Sequence, residues 1–98
     1  MEYVFNLNIV APAGVLFKDS VIHVQAPGLT GYFGIKPNHL ALITPLKIGK
    51  IIAESSKGSR TLFSTSGGYV EVNNNVMTIL AETVEKASDI DVPRAESA

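Results

Sequence analysis

Cysteine is absent from the 98 residues, which excludes a disulfide framework and any thiolate site and fits a reducing compartment. Histidine is scarce. His23 and His39 are the two present, and with no carboxylate at ligand spacing from either, a metal centre has little to be built from. An excess of one charge is missing as well. Eight basic and nine acidic residues leave a formal net charge of −1, so nothing draws the chain toward nucleic acid or anionic lipid. No apolar run approaches the ~18 residues that span a bilayer. Met1-Glu2-Tyr3 lacks the basic start and long apolar stretch of a secretory signal. The expectation is a cytoplasmic protein that meets a membrane only through another protein.

What the chain does have is apolar side chains. They make up 46% of the sequence, enough to offset the ordering entropy of one folded domain. From Tyr3 to Val10, Tyr3, Phe5, Leu7 and Ile9 alternate with Asn6 and Asn8, the period-2 signal of a half-buried strand. A turn follows at Pro12. Short strands are then expected at Val15–Phe17 and Val21–Ala26, separated by a polar corner at Lys18–Ser20, with a loop opening at Pro27.

Between Gly31 and Gly49 the chain should form two short strands joined by a rigid polar corner at Lys36–His39, because Pro37 fixes φ and glycines bracket the stretch. Lys50–Glu54 and Arg60–Ser66 read as a hairpin turning at Ser55–Ser59. Gly67-Gly68 breaks or bulges the second strand, which continues over Tyr69–Val72. Asn73–Asn75 can take left-handed backbone angles and so turn the chain. Val76–Ala81 is the strongest strand by composition, and Glu82–Lys86 is expected to extend it as an exposed edge.

No helical period separates these strands, so parallel crossover units are not expected. The fold class is therefore all-β: a flattened antiparallel β-sandwich or barrel of about ten short strands. Residues 1–87 form that domain, and residues 88–98 form a linker and the first turns of a helix. Ser88 with Asp91 resembles a shortened capping box, and Pro93 suits a first helical turn. So short a helix is not stable alone.

Chemistry-bearing groups are few. Gly67-Gly68 has no Lys-Ser/Thr pair after it and reads as a strand bulge, not a phosphate cradle. Serine, histidine and aspartate are all present, but no nucleophile-elbow pattern joins them. His39, beside Asn38 in a tight turn, could be a ligand, a general base or a docking residue, and a plain solvated turn histidine is the simpler reading. Tyr32, between glycines, would suit an interface if it points outward.

The order Gly31, Gly34, Ile35, Pro37, His39, Leu42, Leu46, Gly49 resembles the central motif of the epsilon subunit of the F-type, proton-driven ATP synthase, in its N-terminal β-domain. Ser66 to Val72, Val76 to Glu82, and Asp89, Ile90, Asp91 with Arg94 and Ala95 fit the same family at the same intervals. The resemblance implies a β-sandwich and a non-catalytic rotor subunit that lacks the family's C-terminal helical hairpin. Its partners would be the gamma subunit, the proteolipid (c) ring and the catalytic head, at the cytoplasmic face of a bacterial inner membrane. It implies a proteolipid-facing set of Gly28, Gly31, Tyr32, Gly34, Pro37, Asn38 and His39, and a gamma-facing set of Ala11 and Thr44. The family often carries an acidic residue at the position of Tyr32.

In some members a motif matching Ile90, Asp91, Arg94 and Ala95, with a further contact at the position of Glu85, binds ATP. Here ATP would be a weak regulatory ligand, since the helices that supply further basic residues are absent from these 98 residues. No other cofactor is implied. A capped helix start, with an intrahelical ion pair between Asp91 and Arg94 or with Arg94 exposed, is the stronger reading of the tail. A free-standing binding module and a small hydrolase are the competing functions.

Overall fold

The computed structural model describes residues 4–37 and 41–91, the last five as backbone only. Ten strands are found among the described residues: β1 (Phe5–Ala11), β2 (Gly14–Val21), β3 (His23–Gly28), β4 (Gly31–Ile35), β5 (Leu42–Leu46), β6 (Gly49–Glu54), β7 (Ser59–Thr65), β8 (Gly68–Asn73), β9 (Val76–Ala81) and β10 (Val84–Asp91). They form two five-stranded sheets, ordered β2-β1-β9-β8-β5 and β10-β7-β6-β3-β4. All pairs are antiparallel except β1 with β9, which run parallel at the centre of the first sheet. That pair departs from the expected antiparallel scheme. It needs no helical crossover, because the seven strands β2–β8, four of them in the second sheet, lie between β1 and β9 in the chain.

The alternation read from the first strand is realised. Phe5, Leu7 and Ile9 are buried, as are Val70 and Val72 of β8 and Met77 and Ile79 of β9. They meet Val24, Ala26, Ile35, Ile51, Ala53 and Phe63 of the second sheet in one apolar cluster. Near the open edge, Phe17 of β2 and Phe63 of β7 pack edge to face at 5.2 Å, joining the two sheets.

Four local expectations are corrected. Lys18–Ser20 is no corner: β2 runs unbroken to Val21, because an edge strand leaves one edge and one face to water and tolerates charge there. Pro27 and Gly28 stay within β3. Glu82–Lys86 does not extend β9, since the chain leaves the first sheet at Glu82-Thr83 and β10 becomes the edge of the second. Ser88–Asp91, expected as linker and helix cap, pair with Leu62–Ser59 as the end of β10. The helix expected after them lies outside the described residues.

Two neighbouring crossings between the sheets, from β7 to β8 and from β9 to β10, are tied together. The Ser66 N–H donates to the Thr83 carbonyl at 3.1 Å, and the Thr83 N–H donates to Ser66 Oγ at 3.3 Å. The Gly67 N–H donates to the buried Thr65 Oγ1 at 3.1 Å. Gly67-Gly68 is thus a crossing between layers and not a bulge within one strand.

The asparagine turn forms as its composition suggests, with Asn74 at φ 53 and Asn75 at φ 63. Asn75 Nδ2 also donates to the Val4 carbonyl at 2.7 Å, and its own carbonyl accepts from the Asn6 N–H at 3.2 Å, which anchors the start of β1 to this turn. Asn75→Ala loses both the amide donor and the tolerance of left-handed angles. It should destabilise the chain by about 2 kcal/mol in urea unfolding, whereas Asn73→Ala, on an exposed strand end, should change little.

Candidate functional site

In β1 the outward positions between the buried Leu7 and Ile9 and beyond them are Asn8 and Val10, since successive side chains alternate across a strand. Val10 is registered with Val15 of β2 and Leu80 of β9. Leu80 is registered with Tyr69, and Tyr69 with Pro45 of β5. The result is one apolar row, Val15-Val10-Leu80-Tyr69-Pro45, crossing all five strands of the sheet on its solvent face. At ~4.8 Å between strands it is roughly 19 Å long. Val15, Leu80 and Tyr69 are 63%, 50% and 59% exposed, and Leu16, beside the bulge in β2, adds another exposed side chain.

On one side the neighbouring row is polar over four strands, Lys18-Asn8-Thr78-Glu71, and ends at the exposed Ile43 of β5. A shallow depression beside the row is lined by Val10, Ala11, Pro12, Tyr69, Leu80 and Glu82. A contiguous apolar stripe rimmed by polar groups has the anatomy of an interface.

A second apolar surface lies where the two sheets end side by side. There, the β3–β4 hairpin and β5 wall a groove of about 500 Å³. Gly28, Gly31, Tyr32 and Gly34 of the expected proteolipid-facing set line it. Pro37 follows at the end of β4, while Asn38 and His39 lie outside the described residues. Thr44 lines this same groove. Its register with the buried Val70 turns it inward, so it lies beside Gly28, Gly31, Tyr32 and Gly34 in the groove and apart from Ala11. β5 therefore serves both surfaces, with Pro45 in the row and Ile43 and Thr44 in the groove.

Tyr32 is half exposed, yet its phenol oxygen is not free: it accepts from the Lys50 N–H at 3.1 Å. His23 lies over Gly34, its Nε2 only 2.7 Å from where a Cβ would stand. A side chain at that position would displace the imidazole.

The expected ATP contacts do not converge among the described residues. Glu85 and Asp91 stand near opposite ends of β10, paired with Ser64 and Ser59, roughly 20 Å apart at a strand's rise of ~3.3 Å per residue. Arg94 and Ala95 lie outside the described residues. No group of three or more potential metal ligands occurs among the described residues, and no helix there is long and apolar enough to cross a membrane.

Sequence reasoning missed the apolar row. Its signal was local and weak: apolar residues at outward positions such as Tyr69 and Leu80, which only strand order brings into line.

Comparison with known proteins matches this geometry. The sequence profile described as "ATP synthase, Delta/Epsilon chain, beta-sandwich domain" matches residues 4–87. The ATP synthase epsilon chain of Nitratidesulfovibrio vulgaris (strain DSM 19637 / Miyazaki F) is 41% identical over 98 residues, covering all of this chain and 72% of the relative. That of Lawsonia intracellularis is 41% identical over the same length, covering 73% of the relative. Among solved structures, a chain of the Euglena gracilis mitochondrial ATP synthase, in its OSCP/F1/c-ring assembly, superposes with a TM-score of 0.83 at 19% identity, over 99% of this chain and 62% of its own length. A chain of the Tetrahymena thermophila mitochondrial ATP synthase central stalk and c-ring superposes with a TM-score of 0.72 at 16% identity, over 82% of this chain and 64% of its own. At such identities the superpositions speak for the fold alone. The full-length sequence matches and the profile carry the assignment: the chain belongs to the β-sandwich domain family of the ATP synthase delta/epsilon chains, non-catalytic subunits of that complex.

Proposed function

We propose that the chain is a central-stalk subunit of a bacterial F-type ATP synthase, joining rotation of the proteolipid ring to the gamma subunit at the cytoplasmic face of the membrane. The observation that carries this reading is the apolar row across the first sheet, an uncovered stripe that a soluble partner of matching shape would bury. Gamma is assigned to this row because Ala11, expected on the gamma-facing side, borders the same depression as Val10, Tyr69 and Leu80. The proteolipid ring is assigned to the hairpin and groove, where Gly28, Gly31, Tyr32 and Gly34 gather.

The two surfaces share β5 and are backed by one close-packed core, which deforms little under load. An interface that carries torque must bury more than the ~1,200 Å² of a transient encounter, so the row supplies the centre of the contact and its polar neighbours the rim.

The test is co-purification with the gamma subunit. Tyr69→Asp combined with Leu80→Asp places two carboxylates in the stripe without touching the core and should weaken association with gamma at least a hundredfold, by about 3 kcal/mol. The unfolding midpoint should stay near that of the parent. Undiminished association of a folded double variant would refute the assignment of gamma to this face.

A further inference from the structure

The β3–β4 hairpin ends in an exposed tip, Leu29-Thr30, with Leu29 63% exposed. How the tip is aimed depends on how firmly the edge strand β4 is held to the sheet. β4 pairs with β3 alone, and β3 carries a proline, Pro27, opposite Tyr32. Proline has no N–H, so it weakens any ladder that passes through it.

The registered pairing of β3 with β6 runs from His23↔Glu54 to Gln25↔Ile52 and goes no further. Past that point the Pro27 carbonyl is taken by the N–H of Lys47, at 3.0 Å. The N–H of Lys50 on β6 is taken by the Tyr32 hydroxyl, at 3.1 Å. Gly49 makes room for this arrangement: a Cβ there would come within 2.8 Å of Tyr32 Oη and 2.9 Å of the Pro27 ring.

We infer that Tyr32 is a positioning residue: its phenol spans β3 at the proline break, ties β4 to β6 across three strands, and sets the angle at which the hairpin tip meets its partner. The inference rests on the hairpin as the ring-facing surface. Long reach and a hydroxyl acceptor are both needed. Phenylalanine keeps the ring over Pro27 but leaves the Lys50 N–H without its acceptor, and glutamate is too short to cross β3.

The experiment compares Tyr32→Phe with Leu29→Asp in the full chain. It reads amide hydrogen exchange at Lys50, the unfolding midpoint, and association with the isolated proteolipid ring. Tyr32→Phe should raise exchange at Lys50 at least tenfold and weaken ring association severalfold, while the midpoint stays within a few degrees of the parent. Unchanged exchange at Lys50 overturns the inference. So does faster exchange with undiminished ring association, provided that Leu29→Asp weakens it. If Leu29→Asp leaves association intact, the ring-facing reading fails, and with it the role given to the tip. Loss of association by both variants, with Lys50 exposed only in Tyr32→Phe, supports it.

Discussion

Gly68→Ala is expected to lower the unfolding free energy by at least about 3 kcal/mol, measured as a shift of the urea midpoint at constant slope. Gly68 sits at φ +151, where L residues are rarely found, and a Cβ on it would lie 1.9 Å from the carbonyl oxygen of Leu80 and 2.9 Å from Cα of Ala81. Both obstacles are backbone atoms of the paired strand β9, so no rotamer change can make room. The substitution must push β8 away from β9 at the point where the chain has just crossed between sheets, spoiling the Gly68↔Ala81 and Tyr69↔Leu80 pairs.

Gly58→Ala is the control. Gly58 is also left-handed, at φ +88, but nothing lies within 4 Å of its added Cβ, so only the conformational penalty of about 1–2 kcal/mol applies. Equal losses in the two variants would mean that contact with β9 does not set the cost at Gly68.

The second large effect is expected at Phe63. Its ring is 2% exposed and fills the space between the sheets where β7 faces the edge strand β2. Phe63→Ala removes the ring and leaves a cavity that a two-layer β core cannot easily close, at a cost of roughly 3–5 kcal/mol. Phe17→Ala should cost less, because Phe17 is only half buried and water already reaches part of its ring. The edge-to-face pairing at 5.2 Å and 76° predicts a coupling of about 0.5–1.5 kcal/mol in a double-mutant cycle, beyond the separate burial of each ring. Strict additivity would show that the two rings share only a neighbourhood.

Much of the fold was legible because β structure writes a local signature. The alternation through Phe5, Leu7 and Ile9 marked the core face of β1, and the asparagine triplet marked a turn that indeed takes left-handed angles at Asn74 and Asn75. The errors have a common origin. Lys18–Ser20 looked like a corner because charge within a strand is tolerated only where that strand is an edge, and edge status is not a local property. Glu82–Lys86 looked like more of β9 because nothing in those residues says that the chain changes layer there. Ser88–Asp91 carried a cap-like spacing, but pairing with β7 used those backbone groups as strand.

The candidate site divides in the same way. The family motif from Gly31 to Gly49 could be read directly, whereas the β3–β4 hairpin could not, because Pro27 and Gly28 read as a loop. The apolar row could not, since its members come from five strands scattered between Val10 and Leu80 in the sequence. Nor could the role of Tyr32, which depends on a proline opposite it and on an N–H two strands away.

By itself, the sequence determined an all-β chain, some of its turns and the family to which it belongs, because period-two patterning, left-handed asparagines and glycine-proline spacing act over a few residues. Only the tertiary structure decided which strands are neighbours, where the chain passes between layers, and which outward side chains line up into a surface. Those are set by pairing between distant segments under the demand that both sheets bury one face, a demand that no short stretch of residues can express.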